Sequence, residues 1–319
     1  MALSDLQVFN EYAYLSMTEV VDQQIQLFNA ASRGTITLQG TAHQGDYSDS
    51  AFWKNVSDLV RRRNAYGSGA VAAKDLEHLL DTSVKVAAGT PPVNIPPGQM
   101  NWIQRQPEEQ GAVYGQQLAK ALVQDMLNSA ISVTYAALSG VAAIIKDGTA
   151  GTIDPTLLTQ AAGLFGDRQS SIIAWIMHSK VMTDLWVDNL TNAERLFKFE
   201  SINIVSDPFG RLFVITDSPA LIATTPTPDE YHSLGLVAGA CVVGQNNDFD
   251  SNIETSNGDE NILRTIQSEW TYNVGVKGFA WDKANGGHSP NDAALAVSTN
   301  WDKYASSNKD IAGVILDTQ

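Results

Sequence analysis

Residues 107–145 read PEEQGAVYGQQLAKALVQDMLNSAISVTYAALSGVAAII and decide the fold of this 319-residue chain. The first three, Pro107, Glu108 and Glu109, form a helix-start pattern, because proline is tolerated in the first turn and carboxylates complement the N-terminal dipole. Behind them apolar residues recur every three or four positions, the spacing of one buried helical face. These are Ala119, Leu122, Met126, Ala130, Val133, Ala137, Val141 and Ile144. Such a helix would run roughly 45–58 Å, so we expect it to span the subunit.

Two features of residues 107–145 bear on the length and the location of this helix. Gly111 and Gly115 weaken its first turns by about 1 kcal/mol each, and Gly140 is a candidate early end. The charge-free run 126–145 is also long enough by count to cross a bilayer. Six polar residues interrupt that run and no basic flank orients it, so the pattern favours a buried helix over a membrane span.

Composition limits the classes of function. Hydrophobic residues make up 44% of the chain and charged residues only 17%, below the usual quarter or so. Few charges on a large chain indicate that other subunits cover part of its surface. The net charge of −15 excludes a general affinity for nucleic acid. A single cysteine, Cys241, and an N-terminus without a signal-peptide pattern indicate a reducing cytoplasm.

The first hundred residues predict helical, irregular and extended segments in turn. Residues 1–31 have helical spacing, and two elements are favoured over one; a short strand follows at Thr35–Leu38. Residues 40–69 are polar and irregular, and an excursion of this length inside a compact domain indicates a functional loop. A short helix at Lys74–Leu80, a strand at Ser83–Val86 and a proline-rich connector lead to the long helix.

The second half alternates helices and strands, which predicts an α/β lobe followed by further strands. The predicted helices are one after the Asp154 cap, one at Lys180–Leu190 capped by Ser179, and one at Asn291–Leu295. The predicted strands are Ile172–Met177, Ile202–Val205, Arg211–Thr216, Leu234–Val243, Trp270–Val276, Gly278–Trp281 and Ile311–Leu316, with a turn at Asp207–Gly210 between the second and third of them.

An ordered set of segments in this half resembles the major capsid proteins of tailed bacteriophages. The segments are Ala174–His178, Leu234–Val243, Ser268–Trp270, Val274–Trp281, Ser289–Leu295 and Asn300-Trp301. Upstream, a loop containing Asp46–Trp53, a strand and a long helix follow in the order that this family uses. The resemblance covers nearly the whole chain and is loosest at residues 32–69.

The resemblance implies an α+β capsid fold, shared by tailed phages, herpesviruses and encapsulins. Its parts would be an N-terminal arm (1–31), an extended β-loop (32–75), a peripheral domain (76–146) with a spine helix (107–145), and an axial α/β domain (147–235). Residues 236–319 would add strands to either domain. The arm and loop would reach over neighbouring subunits.

The implied function is structural and not enzymatic. Copies of the chain would assemble as hexamers and pentamers into an icosahedral shell, the virion capsid, that encloses double-stranded DNA without reading its sequence. The implied partners are a portal, a separate scaffolding protein and a decoration protein, with assembly in the host cytoplasm and no membrane. An encapsulin-like cargo shell and a soluble enzyme with an unrecognised site are the alternatives.

The residues predict no catalytic, cofactor or metal site. The five histidines are scattered without metal-ligand or nucleophile–base spacing, and His178 is interpreted as a packing or capping residue. Oxygen ligands alternate in Asn246–Glu254, but the glycine and glutamate of a calcium loop are missing. We therefore interpret this segment as a solvated hairpin loop.

The extended loop carries the candidate contacts between subunits. Its aromatic side chains would otherwise face water, and its short basic run would meet acids of the next subunit better than it would bind DNA. A solvated face is the alternative for the basic run. The candidate contact residues are Phe52, Trp53, Arg61, Arg62, Arg63 and Tyr66.

Overall fold

A computed structural model describes residues 2–40, 45–54, 60–188, 194–199, 202–206, 212–224, 227–257 and 260–319. The α-helices are α1 (Ala2–Ala31), α2 (Pro97–Arg105), α3 (Pro107–Ser139), α4 (Pro155–Gly163), α5 (Ser179–Asp188) and α6 (Asp292–Leu295). The strands are β1 (Ile36–Gly40), β2 (Tyr47–Trp53), β3 (His78–Gly89), β4 (Val93–Ile95), β5 (Ile145–Asp147), β6 (Ile172–Met177), β7 (Glu194–Phe199), β8 (Ile202–Ser206), β9 (Leu212–Thr216), β10 (Ile222–Ala223), β11 (Glu230–Val237), β12 (Cys241–Gln245), β13 (Asp250–Ser256), β14 (Leu263–Val276), β15 (Phe279–Trp281), β16 (Trp301–Lys303) and β17 (Gly313–Thr318). Within these ranges, no helix has both the length and the apolar character that crossing a membrane requires.

Two mixed sheets organise the described strands. The first follows the order β1-β12-β14-β15-β16, and β2, β3, β4 and β13 attach through β3 and β14. The second follows the order β5-β17-β11-β6-β9-β8-β7, with β10 beside β11. The strands after residue 236 divide between them, since β12–β16 join the first sheet and β17 joins the second. The assignment of these sheets to a peripheral and an axial domain stays a prediction.

The helix α3 lies between the two sheets and contacts β12 and β14 of the first and β17 of the second. Its 33 residues make it about 50 Å long at 1.5 Å per residue, so the expected long helix is confirmed. It ends at Ser139 rather than at residue 145, because Gly140 caps it and a 3₁₀ turn, Ala142–Ile144, leads into β5.

Helix α1 packs along the N-terminal half of α3 at two glycines. A Cβ atom on Gly111 would overlap the carbonyl oxygen of Phe9, and one on Gly115 would overlap that of Ala13. The contact moves forward along both helices, from Phe9 with Gly111 to Ala13 with Gly115, so the two helices run parallel. Gly111 and Gly115, which the sequence predicts as weak points of α3, are therefore the places where its backbone meets α1.

Several sequence expectations are wrong. Strand β2 lies within residues 40–69, which the sequence predicts to be irregular, and β13 begins within Asn246–Glu254, which it predicts to be a solvated hairpin loop. Residues 2–31 form one helix instead of two elements, since packing against α3 holds them in a single rod. Lys74–Leu80 is not a helix: residues 74–77 have no regular structure, and β3 begins at His78 because it pairs with β2. The run Leu234–Val243 is not one strand, since a turn with Gly239 at φ +64° moves the chain from β11 to β12 and so between sheets.

Most other predicted elements are confirmed. The strand Ile172–Met177 has the predicted bounds, and Asp154 caps α4 by accepting a hydrogen bond from the backbone N–H of Leu157 at 2.6 Å. Helix α5 begins at Ser179, but the acceptor at its start is His178, whose Nδ1 lies 3.1 Å from the N–H of Lys180. The end of that helix at residue 190 and the turn at 207–210 lie outside the described residues.

The close contact between α1 and α3 predicts that Gly115→Ala destabilises the fold. The added methyl group must push the helices apart, and we expect the free energy of unfolding to fall by about 1–3 kcal/mol. Gly98→Ala in α2 is the matched control, because a Cβ there meets no atom within 4 Å; it should be neutral or slightly stabilising. Urea denaturation followed by circular dichroism measures both, and equal stability of the two variants would contradict the packing role of Gly115.

Candidate assembly interface

An exposed segment lies between the paired strands β2 and β3. Every residue from 60 to 78 is exposed, and we call this segment the extension. Up to residue 77 it has no helix or strand, and its local order includes a turn in which Asn64 accepts hydrogen bonds from the N–H groups of Tyr66 and Gly67. The extension is therefore a polar excursion with few neighbours in its own subunit, and a functional role for it stays a prediction.

Apolar side chains on and beside the extension face solvent. Tyr66 is 99% exposed, Val60 88% and Leu76 70%. Trp53, at the end of β2, is 61% exposed, and its ring lies 3.9 Å from the ring of His78. The side chain of Phe52 lies outside the described set, although its backbone pairs with Leu79. Such a concentration of exposed aromatic and aliphatic groups is typical of a surface that another protein covers.

The three arginines of the basic run, Arg61, Arg62 and Arg63, are all exposed. Among the described residues, none of the ion pairs involves them. Their proposed contact with acids of a neighbouring subunit therefore stays a prediction.

Polar contacts tie the base of the β2–β3 hairpin to the rest of the first sheet. Lys283 donates a hydrogen bond to Asp49 at 2.6 Å, and Thr82 donates another at 2.7 Å. The lysine, followed by the threonine, lowers the pKa of Asp49. Lys54 and Glu77 form an ion pair of 2.5 Å across the hairpin. The two strands from which the extension departs are therefore held in place at their base.

A second contact at the base joins Asp81 of β3 to Tyr304. Burial raises the pKa of Asp81, and its hydrogen bond with Tyr304 opposes that shift. The hydroxyl of Tyr304 also accepts a hydrogen bond from the N–H of Gly278 at 3.2 Å. Sequence reasoning missed this contact and the Asp49–Lys283 pair, since the latter two residues are 234 positions apart and no local pattern links them.

Two titratable side chains outside the hairpin, His232 and Cys241, are buried in the core. His232 is 6% exposed, with Nδ1 2.7 Å from Asp317 and Nε2 3.0 Å from the hydroxyl of Tyr135 on α3. This trio joins α3 to β11 and β17. Cys241 is buried, and burial raises its pKa to about 12. In the part of the chain that the structure describes, no three His, Cys, Asp or Glu side chains are grouped to hold a metal ion.

The fold is that of a phage capsid protein. Over 89% of this chain and 87% of the other, it is similar to the capsid of Ralstonia phage GP4, with a TM-score of 0.52 at 9% sequence identity. It also matches the Cyanophage Pam1 capsid asymmetric unit over 86% of this chain and 85% of the other, with a TM-score of 0.48 at 10% identity. No curated protein matches the chain.

The sequence gives the family directly. The Gp13-like family, described as Major capsid protein 13-like, matches residues 5–315, and the chain belongs to this family. It is therefore a shell-forming major capsid protein with a structural role, and its place is the capsid of the virion. The match supports the capsid hypothesis over the cargo-shell and enzyme alternatives.

The exposure of Trp53 predicts that Trp53→Ala separates assembly from folding. Because the ring is mostly in water, its loss should change the free energy of unfolding by less than about 1 kcal/mol. If Trp53 is buried between subunits, its removal should raise the protein concentration needed for assembly at least about tenfold. Light scattering measures assembly and thermal unfolding measures stability.

Val187→Ala serves as the control, because Val187 is 80% exposed and lies on α5, which contacts β9 of the second sheet, whereas the hairpin belongs to the first. If Trp53→Ala assembled at the same concentration as this control, Trp53 would not be an intersubunit contact.

Proposed function

We propose that this major capsid protein assembles as hexamers and pentamers, and that these close into an icosahedral shell around packaged double-stranded DNA. In this proposal the principal contact between neighbouring subunits is the extension, residues 60–78, together with Trp53 and the remainder of the predicted extended loop. Phe52, whose side chain is not described, belongs to the same proposed contact.

The exposure of the whole extension is the observation that supports this proposal. A segment that displays Tyr66, Leu76 and Val60 to water gains little from its own subunit, whereas covering these groups with a neighbour gains about 25 cal/mol per Å² of apolar surface. The polar contacts of Asp49 and Asp81 fix where the segment leaves the sheet. A neighbour therefore meets a segment whose starting point is already ordered.

The proposed domains follow the two sheets. The first sheet and α3 would form the peripheral domain, and the second sheet would form most of the axial domain at the five-fold and six-fold positions. This assignment rests on the family resemblance and on the separation of the strands into two sheets.

The resemblance alone supports the remaining partners. We include among them a portal, a separate scaffolding protein and a decoration protein, with assembly in the host cytoplasm. Catalysis has no place in this function.

Replacing residues 60–77 by a short Gly-Ser linker should abolish shell formation without unfolding the subunit. The segment packs against little of its own chain, so the thermal unfolding transition should stay within a few degrees of wild type. Sedimentation velocity and negative-stain microscopy then measure assembly. Uniform shells from the linker variant would remove the extension from the proposed interface.

A second expectation is that the shell holds DNA by enclosure rather than by adhesion. Each subunit carries a net charge of −15, and tight binding to phosphates would need many lysine or arginine contacts with a steep salt dependence. Free subunits mixed with duplex DNA should therefore show no retention at physiological ionic strength. A dissociation constant in the micromolar range or tighter would contradict enclosure as the mechanism.

A further inference from the structure

The first turn of α5 is capped by a histidine. His178 precedes the helix, and its Nδ1 accepts a hydrogen bond from the N–H of Lys180 at 3.1 Å. Its carbonyl accepts the first bond of the helix, from the N–H of Met182 at 3.1 Å. The first N–H groups of a helix lack internal partners, so a side-chain acceptor at this position stabilises the first turn. Serine, threonine, asparagine and aspartate usually supply it, and none of these titrates near neutral pH.

The hydrogen bond fixes the protonation state of the imidazole ring. A backbone N–H group can only donate, so Nδ1 of His178 carries no proton. The ring is then neutral and holds its proton on Nε2, which lies 3.5 Å from the carboxylate of Asp217. A second proton would have to bind Nδ1, where it would meet the N–H of Lys180 as donor against donor. The observed cap and the imidazolium form therefore exclude each other.

The nearest charges act in opposite directions on an imidazolium at position 178. Asp217, directly after β9, attracts it, but that side chain is 60% exposed and water weakens the attraction. The ammonium of Lys180 repels it, since it lies 5.0 Å from the ring of Tyr231 and the imidazole lies 5.3 Å from the same ring. The positive end of the helix dipole of α5 adds to this repulsion.

Two further carboxylates belong to the elements packed around the imidazole. Asp184 of α5 pairs with Lys180 at 2.7 Å, and Glu230 precedes Tyr231 on β11. Among the described contacts, neither carboxylate bonds to His178. Asp217 is therefore the carboxylate toward which a protonated ring turns.

We propose that His178 is a proton-operated cap, which holds the first turn of α5 at pH 7 and above and releases it as the pH falls toward 5. Histidine is the side chain that ordinarily changes charge in this range. Because the neutral ring is the form that accepts the hydrogen bond, the stability contributed by the cap is present above that range and is lost below it.

The release weakens the packing of α5 on the second sheet. Val181 and Met182, in the first turns of the helix, are buried in the main core, and α5 contacts β9. This inference goes beyond the proposed function, since it gives the sheet proposed to form most of the axial domain a response to pH.

Amide hydrogen exchange of the full-length protein, followed by mass spectrometry, tests the cap at pH 7.5 and 5.0. Each observed rate is divided by the intrinsic rate at the same pH, so that only protection is compared. We expect the protection of the first turns of α5 to fall about tenfold at pH 5.0. His178→Asn is the matched variant, because asparagine caps a helix but does not titrate in this range; its protection should be equal at both pH values. If His178→Asn fails to fold, His178→Ser, which supplies another capping side chain, replaces it.

Helix α4 is the control within the same molecule. Its cap is the carboxylate of Asp154, which accepts from the N–H of Leu157 at 2.6 Å, and carboxyl groups in general stay ionised at pH 5. The protection of α4 should therefore be the same at both pH values. Asp217→Asn should move the midpoint of the α5 release to lower pH, since it removes the charge that attracts the imidazolium.

Each outcome decides the proposal. A loss of protection that is confined to α5 and absent from His178→Asn supports the proton-operated cap. The proposal is overturned by unchanged protection of α5 in the wild type, by an equal loss in His178→Asn, or by an equal loss in α4. None of these results depends on whether the protein forms shells, so the proposed function is tested separately.

Discussion

The burial of α3 on several sides is the constraint on which the other elements depend. From Ser129 to Leu138 nearly every residue of this helix is buried, including the polar Ser129 and Thr134. Thr134 donates to the carbonyl of Ala130 at 2.6 Å and Ser129 meets the hydroxyl of Tyr272 at 2.9 Å, so both polar groups are satisfied. A helix in this position needs a sheet on each side and a helix along its first half. The two sheets and α1 provide these surfaces, and the main hydrophobic core extends continuously through all of them.

The parts of the fold that the sequence predicts are those determined by residues close together in the chain. The apolar repeat of α3, the cap at Asp154 and the strand Ile172–Met177 depend on neighbours in sequence, and all three are confirmed. The single helix α1 could not be separated from two shorter ones, because what straightens it is contact with Gly111 and Gly115 about a hundred residues away. Those glycines illustrate the limit well. Helix propensity describes them as weak points, whereas their missing side chains permit two backbones to touch.

The assembly surface shows the same division between local and distant signals. Polar composition with interspersed aromatics predicts an exposed loop, and residues 60–78 are exposed throughout. The short helix expected at Lys74–Leu80 fails, since pairing of β3 with β2 outweighs local helix propensity from His78 onward. Asp49, Asp81, Lys283 and Tyr304, which anchor the base, have no recognisable spacing in the sequence.

The parallel arrangement of α1 and α3 has a consequence for how the chain is made. A ribosome makes α1 before α3, and the glycine surface that accepts α1 is synthesised about a hundred residues later, roughly 5–20 s at typical rates of elongation. During that interval Phe9, Met17 and Val21, all buried in the finished subunit, lack the contacts that α3 provides. Many nascent chains on one message hold the same apolar helix at the same time. The apolar face of α1 therefore remains without its main cover until α3 has been made.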